Sequence, residues 1–314
     1  MRKLLVLAAF AALLITADAS ASVLLGVEGS KSRFKDQTNQ ATDLNLDFIS
    51  WAVHKQSYMD NTLAGAKPIP VLAWGTVNKY GNEAITPAGI AKGKGDRVLI
   101  HINQALDRFG NSAYVRPYAE MNGHWNPSCA YNSNGTYRGR AHSTKNFRKA
   151  FRRTYLIVHG GSVADINAKL VALGMPKLDR TNDLPSNDVK VIWNPQGFGS
   201  PNLNGNRAAA YYPGGNYVDV VANDLYDYGH GVEWGANLDL YRAYPDKPYA
   251  IGEWGLGPGI DHPDFIQRMA NFVSSHPRVK AIIYYRSQSG STFDLASKPK
   301  SRAAYTRYIL RLAN

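Results

Sequence analysis

Short apolar runs alternate along this chain with longer stretches in which apolar residues recur at helical spacing. Eight such runs, many of them rich in β-branched residues, lie at 23–27, 48–53, 69–74, 113–120, 189–193, 217–226, 249–253 and 279–285. Strands that alternate with helical segments pair in parallel, and eight such units close into a barrel. The pattern therefore predicts an α/β fold, a single-domain (β/α)8 TIM barrel.

The intervals between the runs differ in how clearly they predict a helix. Segments 143–173 and 262–275 are amphipathic, whereas 202–212 is too rich in Gly and Asn to be a secure helix. A doubly wound open sheet is the competing architecture. Its usual phosphate-binding turn after the first strand is missing, because the stretch from Gly26 to Gly29 lacks the G-x-G-x-x-G spacing. The barrel is therefore preferred.

The N-terminus has the pattern of an export signal. Two basic residues precede an uninterrupted apolar run at 4–15, and small residues follow up to Ala21. We expect residues 1–21 to be a secretory signal peptide and 22–314 to form the catalytic domain of a secreted or periplasmic protein. The apolar run is shorter than the roughly 20 residues that cross a bilayer, so we expect no membrane insertion.

Composition narrows the chemistry. Cys129 is the only cysteine, which excludes an intrachain disulfide and a zinc site built on cysteines. The sequence contains neither an H-E-x-x-H motif nor a G-x-S-x-G motif, and we expect no metal and no cofactor.

The formal net charge of +12 would aid encounter with any polyanion or simply keep an exported protein soluble. We expect a monomer that does not bind nucleic acid.

Two glutamates carry the strongest chemical signal. Glu120 ends the fourth apolar run and Glu253 ends the seventh. Period-two alternation puts Arg116, Tyr118 and Glu120 on one face of the fourth strand, and gives Glu253 the parity of Ile251. Most enzymes that cleave a glycosidic bond use two carboxyl groups in one cleft.

Several separated motifs resemble glycoside hydrolase family 26, the β-mannanase family, within the clan of (β/α)8 retaining glycosidases. They span most of the chain in the expected order, and the Glu-Met-Asn-Gly-x-Trp run is the most specific. The motifs are Arg116 with Glu120-Met-Asn-Gly-His-Trp125, Val191-Ile-Trp-Asn-Pro195, Tyr211-Tyr-Pro-Gly214 with Tyr217-Val-Asp219, Asp224-Leu-Tyr226 and Lys247-Pro with Glu253. The resemblance implies that Glu120 is the general acid/base and Glu253 the nucleophile, whose anion Arg116 and Tyr226 stabilise.

Further candidates would bind the substrate. Sugar rings stack on indoles, so platforms are expected near the catalytic strand ends. Where the family carries His before the acid/base, this chain has Ala119, so either substrate recognition differs or another side chain, His124 or Asn122, takes its place. Where the clan has a Trp on strand eight, this chain offers Tyr284 and Tyr285. The predicted substrate-binding residues are Arg116, Asn122, His124, Trp125, Trp193, Tyr226, Trp254 and Tyr285.

The leading hypothesis is a secreted, retaining endo-β-glycanase, β-mannanase-like, that hydrolyses O-glycosidic bonds of a polysaccharide by double displacement. One alternative is a hydrolase of an acidic exopolysaccharide, which the basic charge would help to encounter. Another is a noncatalytic glycan-binding protein on a degenerate barrel, which would not need a pair of carboxylates.

Overall fold

The protein is a closed barrel of eight parallel strands. A computed structural model describes residues 22–288 and 290–313, so the predicted signal peptide lies outside the described residues. Each strand pairs in parallel with the next, and β8 pairs with β1. The predicted (β/α)8 barrel is therefore confirmed. The strands are β1 (Leu24–Glu28), β2 (Leu44–Ile49), β3 (Ile69–Trp74), β4 (Ala113–Pro117), β5 (Val189–Trp193), β6 (Val220–Asp227), β7 (Tyr249–Leu256) and β8 (Val279–Tyr285).

Helices surround this barrel. In chain order they are α1 (Lys31–Thr38), α2 (Gln56–Gly65), α3 (Pro87–Ala91), α4 (Asp96–Phe109), α5 (Thr144–His159), α6 (Val163–Ala172), α7 (Ala208–Tyr211), α8 (Trp234–Ala243), α9 (Pro263–Ser275) and α10 (Pro299–Ala304). The interval between β5 and β6 holds only short turns of helix, as its Gly and Asn content indicated. Across 22–288 and 290–313, no helix combines the length and apolar character that crossing a membrane requires.

Strand boundaries follow the predictions unevenly. β3, β5 and β8 match the predicted runs to the residue, whereas the second strand was predicted four residues too late. Its alternation was hidden by Asn45, a buried polar residue whose amide donates to the carbonyl oxygens of Val27 and Gly29. β4 ends at Pro117, three residues before the predicted end, and β7 continues three residues past Glu253.

Two apolar layers hold the barrel together. The inner layer fills the barrel with mostly small and β-branched side chains, among them Ala73, Ala222, Ala250 and Ala281. A larger outer layer packs between the strands and the helices. Neighbouring residues on a strand face opposite layers. Whether a side chain at a strand end points into the barrel therefore depends on whether its position along the strand is odd or even.

The amphipathic segment 143–173 folds as two helices because two glycines interrupt it. Gly160 ends α5 with φ of +75°, and Ser162 begins α6 by accepting a hydrogen bond from the Asp165 backbone N–H. A Cβ atom on Gly160 would lie 1.8 Å from the Pro185 carbonyl oxygen. The end of α5 therefore lies so close to the segment that leads into β5 that only glycine fits at position 160.

We expect Gly160→Ala to destabilise the fold by roughly 2–4 kcal/mol, because the substitution combines a left-handed backbone with a backbone clash. Gly65→Ala is the matched control, since a Cβ there meets nothing within 4 Å. The control should change stability by less than about 1 kcal/mol. Urea unfolding of both variants checks this, and equal stability of the two would contradict it.

Candidate active site

A β-bulge in β7 directs Glu253 into the barrel. Ile251 pairs with Asn223 and Glu253 pairs with Asp224, so Gly252 is an extra residue on β7. The predicted shared parity of Ile251 and Glu253 is therefore wrong, because the bulge reverses the face. Gly252 is required here, since a Cβ atom on it would lie 1.9 Å from Asn194 Oδ1.

The end of β4 leaves regular strand geometry just before Glu120. Tyr118 and Glu120 both have φ of +54°, a left-handed conformation that non-glycine residues seldom adopt. Tyr118 turns outward, and its hydroxyl contacts Thr154 Oγ1 of α5 at 2.8 Å. The predicted common face of Arg116, Tyr118 and Glu120 is thus wrong for Tyr118.

Arg116 lies buried beneath the cavity and organises the acidic groups of the site. Its Nη1 donates to Glu253 Oε1, its Nη2 to Asp224 Oδ2 at 2.5 Å, and its Nε to Asn194 Oδ1 at 2.8 Å. Burial acts to lower the pKa of Arg116, but Asp224 and Glu253 outweigh it and raise the pKa. The guanidinium therefore stays charged and gives its carboxylate partners fixed directions.

Glu253 receives a second donor from β6. The Tyr226 hydroxyl donates to Glu253 Oε2 at 2.6 Å, so each carboxyl oxygen of Glu253 has one partner. Burial and the nearby Glu253 raise the pKa of Tyr226 well above its ordinary value, which keeps the phenol protonated and donating. Arg116 and Tyr226 thus both contact Glu253, and their part in catalysis stays a prediction.

Glu120 has neutral partners. Trp125 Nε1 donates to its Oε2 at 2.7 Å, and Gln196 Nε2 donates to its Oε1. Burial and the charge of Glu253 raise the pKa of Glu120, against the opposing effect of both hydrogen bonds and of Arg116. A carboxyl group in this setting holds its proton to higher pH than an exposed one, as a general acid requires.

Glu120, Tyr226 and Glu253 border one cavity of about 640 Å³ at the carboxyl ends of the strands. Arg116 is buried outside its lining, so the predicted contact of Arg116 with substrate is wrong. The predicted site residues that line it are Glu120, Trp125, Tyr226, Glu253 and Tyr285. Sequence reasoning did not select several other lining residues, namely Gln196, Phe198, Tyr228, His230, Glu233 and Phe293, and it quoted Asp224 only as part of a motif. The feature of the sequence that could have identified them is their position, just after barrel strands or on the loops that follow. Within the described ranges, no three His, Cys, Asp or Glu side chains are grouped to hold a metal ion.

Two predicted tryptophan platforms are wrong, because both indoles lie in the outer core. Trp193 is fully buried against the rings of Tyr212 and Tyr244. Trp254 is also fully buried and stacks on Tyr305 at 5.7 Å, since the bulge that turns Glu253 inward turns its neighbour outward. Neither indole can reach a sugar.

Asn122 and His124 hold the loops that follow β4 and β5. The predicted substrate contact of Asn122 is wrong because its side chain is buried, whereas that of the half-buried His124 stays a prediction. Asn122 is completely buried, and its amide group binds the backbone of Gln196. His124 Nδ1 contacts Ser200 Oγ at 3.1 Å and the ring packs edge-on against Trp125. Neither side chain borders the cavity.

Ala119 precedes Glu120 without a polar substitute from either expected residue. Gln196, from the loop after β5, supplies the hydrogen bond to the Glu120 carboxyl group instead. A side chain from another strand end therefore binds the carboxyl group of Glu120, and the half-buried Ala119 adds only a methyl group.

Solved structures of two mannanases have a similar fold. The structure resembles a mannanase of Bacillus subtilis, BCman, with a TM-score of 0.58 and 17% identity over 91% of this chain and 85% of that one. It also resembles a modular endo-β-1,4-mannanase of Cellulomonas fimi, described with the family 26 mannanases, with a TM-score of 0.60 and 14% identity over 92% and 70% of the two chains. At sequence identities this low, the structural similarity shows a shared fold and nothing more.

One curated relative is similar in sequence. Endoglucanase H of Acetivibrio thermocellus is 25% identical over 233 residues, which cover 70% of this chain and 22% of the relative. The chain thus spans about a fifth of that relative's length. No protein-family model matches the chain.

Glu28 is a further carboxyl group near the cavity, at the end of β1. Its Oε2 accepts the Ser287 backbone N–H at 2.5 Å, which ties β1 to the segment after β8. Burial raises the pKa of Glu28 to about 6, with added repulsion from Glu253 and Asp47, while the Ser287 N–H and Arg286 oppose the rise.

We expect Glu28→Gln to stabilise the protein above pH 6 and to have little effect below pH 4.5. The folded-state pKa of about 6 exceeds the ordinary 4.5, so the folded protein binds more protons between these values and loses stability as pH rises through them. The variant keeps an acceptor for Ser287 but cannot ionise. Melting temperatures from pH 4 to 8 measure the difference, and parallel curves for the two proteins would contradict it.

Proposed function

We propose that this protein is an exported, retaining endo-β-glycanase of the family 26 type. The observation that carries the proposal is the shared cavity of Glu120 and Glu253, in which the two carboxyl groups have opposite kinds of partner. Glu253 faces a guanidinium and a phenol, whereas Glu120 faces only neutral donors and has a raised pKa. This difference suits one carboxylate nucleophile and one acid.

The proposed reaction has two displacements. Glu253 attacks the anomeric carbon while Glu120 gives its proton to the departing glycosidic oxygen, and the C–O bond breaks to leave a covalent glycosyl ester on Glu253. Glu120, now ionised, takes a proton from a water molecule that attacks the same carbon and releases Glu253. Arg116 and Tyr226 keep the Glu253 carboxylate aimed at the sugar in both steps.

The lining of the cavity favours a neutral glycan. Among the described lining residues are four carboxyl groups, those of Glu120, Asp224, Glu233 and Glu253, and no Lys or Arg. Apart from Arg116 beneath the cavity, the positive charge of the chain lies elsewhere, so an acidic polymer would find no cationic side chain in the lining to pair with. Mannanases among the structural neighbours and an endoglucanase as the curated relative support β-linked mannan or glucan as the first substrates to test.

Aromatic faces around the cavity supply surfaces for sugar rings. Trp125 and Tyr228 are about half exposed, and Phe198, Tyr285 and Phe293 complete the apolar part of the lining. Such faces bind the apolar side of a pyranose while nearby polar groups bind its hydroxyls.

The proposal that the protein is exported rests on the N-terminal sequence pattern. Determining the N-terminal sequence of the protein recovered outside the cytoplasm tests it.

We expect Glu120→Gln to lower hydrolysis roughly 100- to 10,000-fold and Glu253→Gln to abolish it, with folding intact in both. The assay is reducing-end release from mannan, β-glucan and an acidic polysaccharide, together with the anomeric configuration of the first product by NMR. Glu83→Gln, which changes a partly exposed glutamate paired with His142, is the matched control.

Full activity in either cavity variant would overturn the proposal. Turnover of the acidic polymer alone would favour the acidic-exopolysaccharide hydrolase, and inverted product would overturn double displacement. Glycan binding without any reducing-end release by the wild-type protein would favour the noncatalytic alternative.

A further inference from the structure

Gln196 is a buried amide that contacts the proposed acid/base directly. It lies three residues after the end of β5, borders the cavity and is only 6% exposed. Its Nε2 donates to Glu120 Oε1, while Trp125 Nε1 donates to the other oxygen of the same carboxyl group. Both oxygens of Glu120 are therefore held.

The backbone of Gln196 is fixed relative to Glu120 by an asparagine two residues further along the Glu120 loop. Asn122 Oδ1 accepts the Gln196 backbone N–H at 2.8 Å, and Asn122 Nδ2 donates to the Gln196 carbonyl oxygen at 2.9 Å. The Glu120 backbone N–H also donates to the Asn194 carbonyl oxygen at 2.7 Å. These bonds join the ends of β4 and β5 and hold the Gln196 amide within reach of the Glu120 carboxyl group.

The two partners of Glu120 differ in what they can do. An indole N–H can only donate, so Trp125 suits the ionised carboxylate. A primary amide carries both a donor and an acceptor, and rotation about its terminal bond exchanges their places. Gln196 can donate to ionised Glu120 and, after that rotation, accept the O–H of protonated Glu120. A general acid that later becomes a general base passes through both states.

We propose that Gln196 is a positioning residue for Glu120 that keeps it hydrogen-bonded in both of its protonation states. The inference deepens the proposed function and rests on it for the catalytic meaning of those states. Because a hydrogen bond to a charged group is about twice as strong as one between neutral groups, Gln196 favours the anion on balance. It thereby offsets part of the rise in the pKa of Glu120 that burial and Glu253 cause.

Other charges act on Glu120 from the surrounding strands. They are Arg116 on β4, Asp224 on β6 and Glu253 on β7, and the phenols of Tyr226, Tyr228 and Tyr285 also sense Glu120. A substitution of Gln196 leaves all of these in place. The change in the titration of Glu120 between wild type and variant therefore reports the amide itself.

The test compares Gln196→Met, which keeps the length of the side chain without hydrogen bonds, with Gln196→Glu, which keeps the shape and adds like charge. On polysaccharide we expect kcat/KM to fall roughly tenfold to hundredfold in the Met variant. On a dinitrophenyl β-glycoside of the matching disaccharide, whose leaving group needs no proton, kcat/KM should change by less than about twofold. The alkaline limb of the pH profile should move to higher pH in both variants, and further in Gln196→Glu.

A direct titration separates this inference from the proposed function. Carbon-13 labelling of the glutamate carboxyl groups, with Glu120→Gln to assign the signal, gives the pKa of Glu120 whether or not any glycan is cleaved. A higher pKa in Gln196→Met supports the positioning role even if the wild-type protein hydrolyses nothing, which would overturn only the proposed function. An unchanged pKa, or equal losses on both substrates, would overturn the inference.

Discussion

The buried guanidinium of Arg116 is the interaction on which the site depends. It binds Glu253, Asp224 and Asn194 at once, and so joins groups from four different strands beneath the cavity. A buried charge is costly unless it is fully paired, and here each nitrogen has an acceptor. One cation faces several carboxyl groups and does not offset the burial of all of them, so the pKa values of both Glu120 and Asp224 are raised. In the proposed reaction this arrangement directs Glu253 as the nucleophile, and Glu120 acts as the acid.

Irregular backbone brings these side chains together. Regular strands would have turned Glu253 outward with Ile251, and the extra residue Gly252 reverses that. At the end of β4, left-handed backbone at Tyr118 and Glu120 sends one side chain to the outer core and the other to the cavity. Strain and bulges cost free energy, and they persist where the surrounding contacts determine them. In this protein, the Asn194 carbonyl oxygen and the Asn122 amide supply those contacts.

The sequence predicted the architecture better than the details of the site. The barrel and the strands β3, β5 and β8 follow from apolar runs, because burial on both faces leaves a local signature. The pair Glu120 and Glu253 was found as well, since each ends such a run. The outward Trp254 could not be predicted, because it depends on a bulge that arises from pairing between β6 and β7. Gln196 could not be predicted either, because its backbone is held by hydrogen bonds to Asn122, a residue 74 positions away in the sequence. Parity arguments fail where the strand stops being regular, and here those places deliver Glu120 and Glu253 to the cavity.

In the proposed mechanism, Glu253 forms a covalent bond with the sugar while Glu120 transfers protons. A fluorinated, activated disaccharide glycoside of the accepted series tests this, because its glycosyl ester is hydrolysed slowly. Intact-protein mass spectrometry should then show one added disaccharide per chain, and peptide sequencing should place it on Glu253. A label on Glu120, or turnover of the natural polysaccharide with no trapped ester under any condition, would contradict this mechanism.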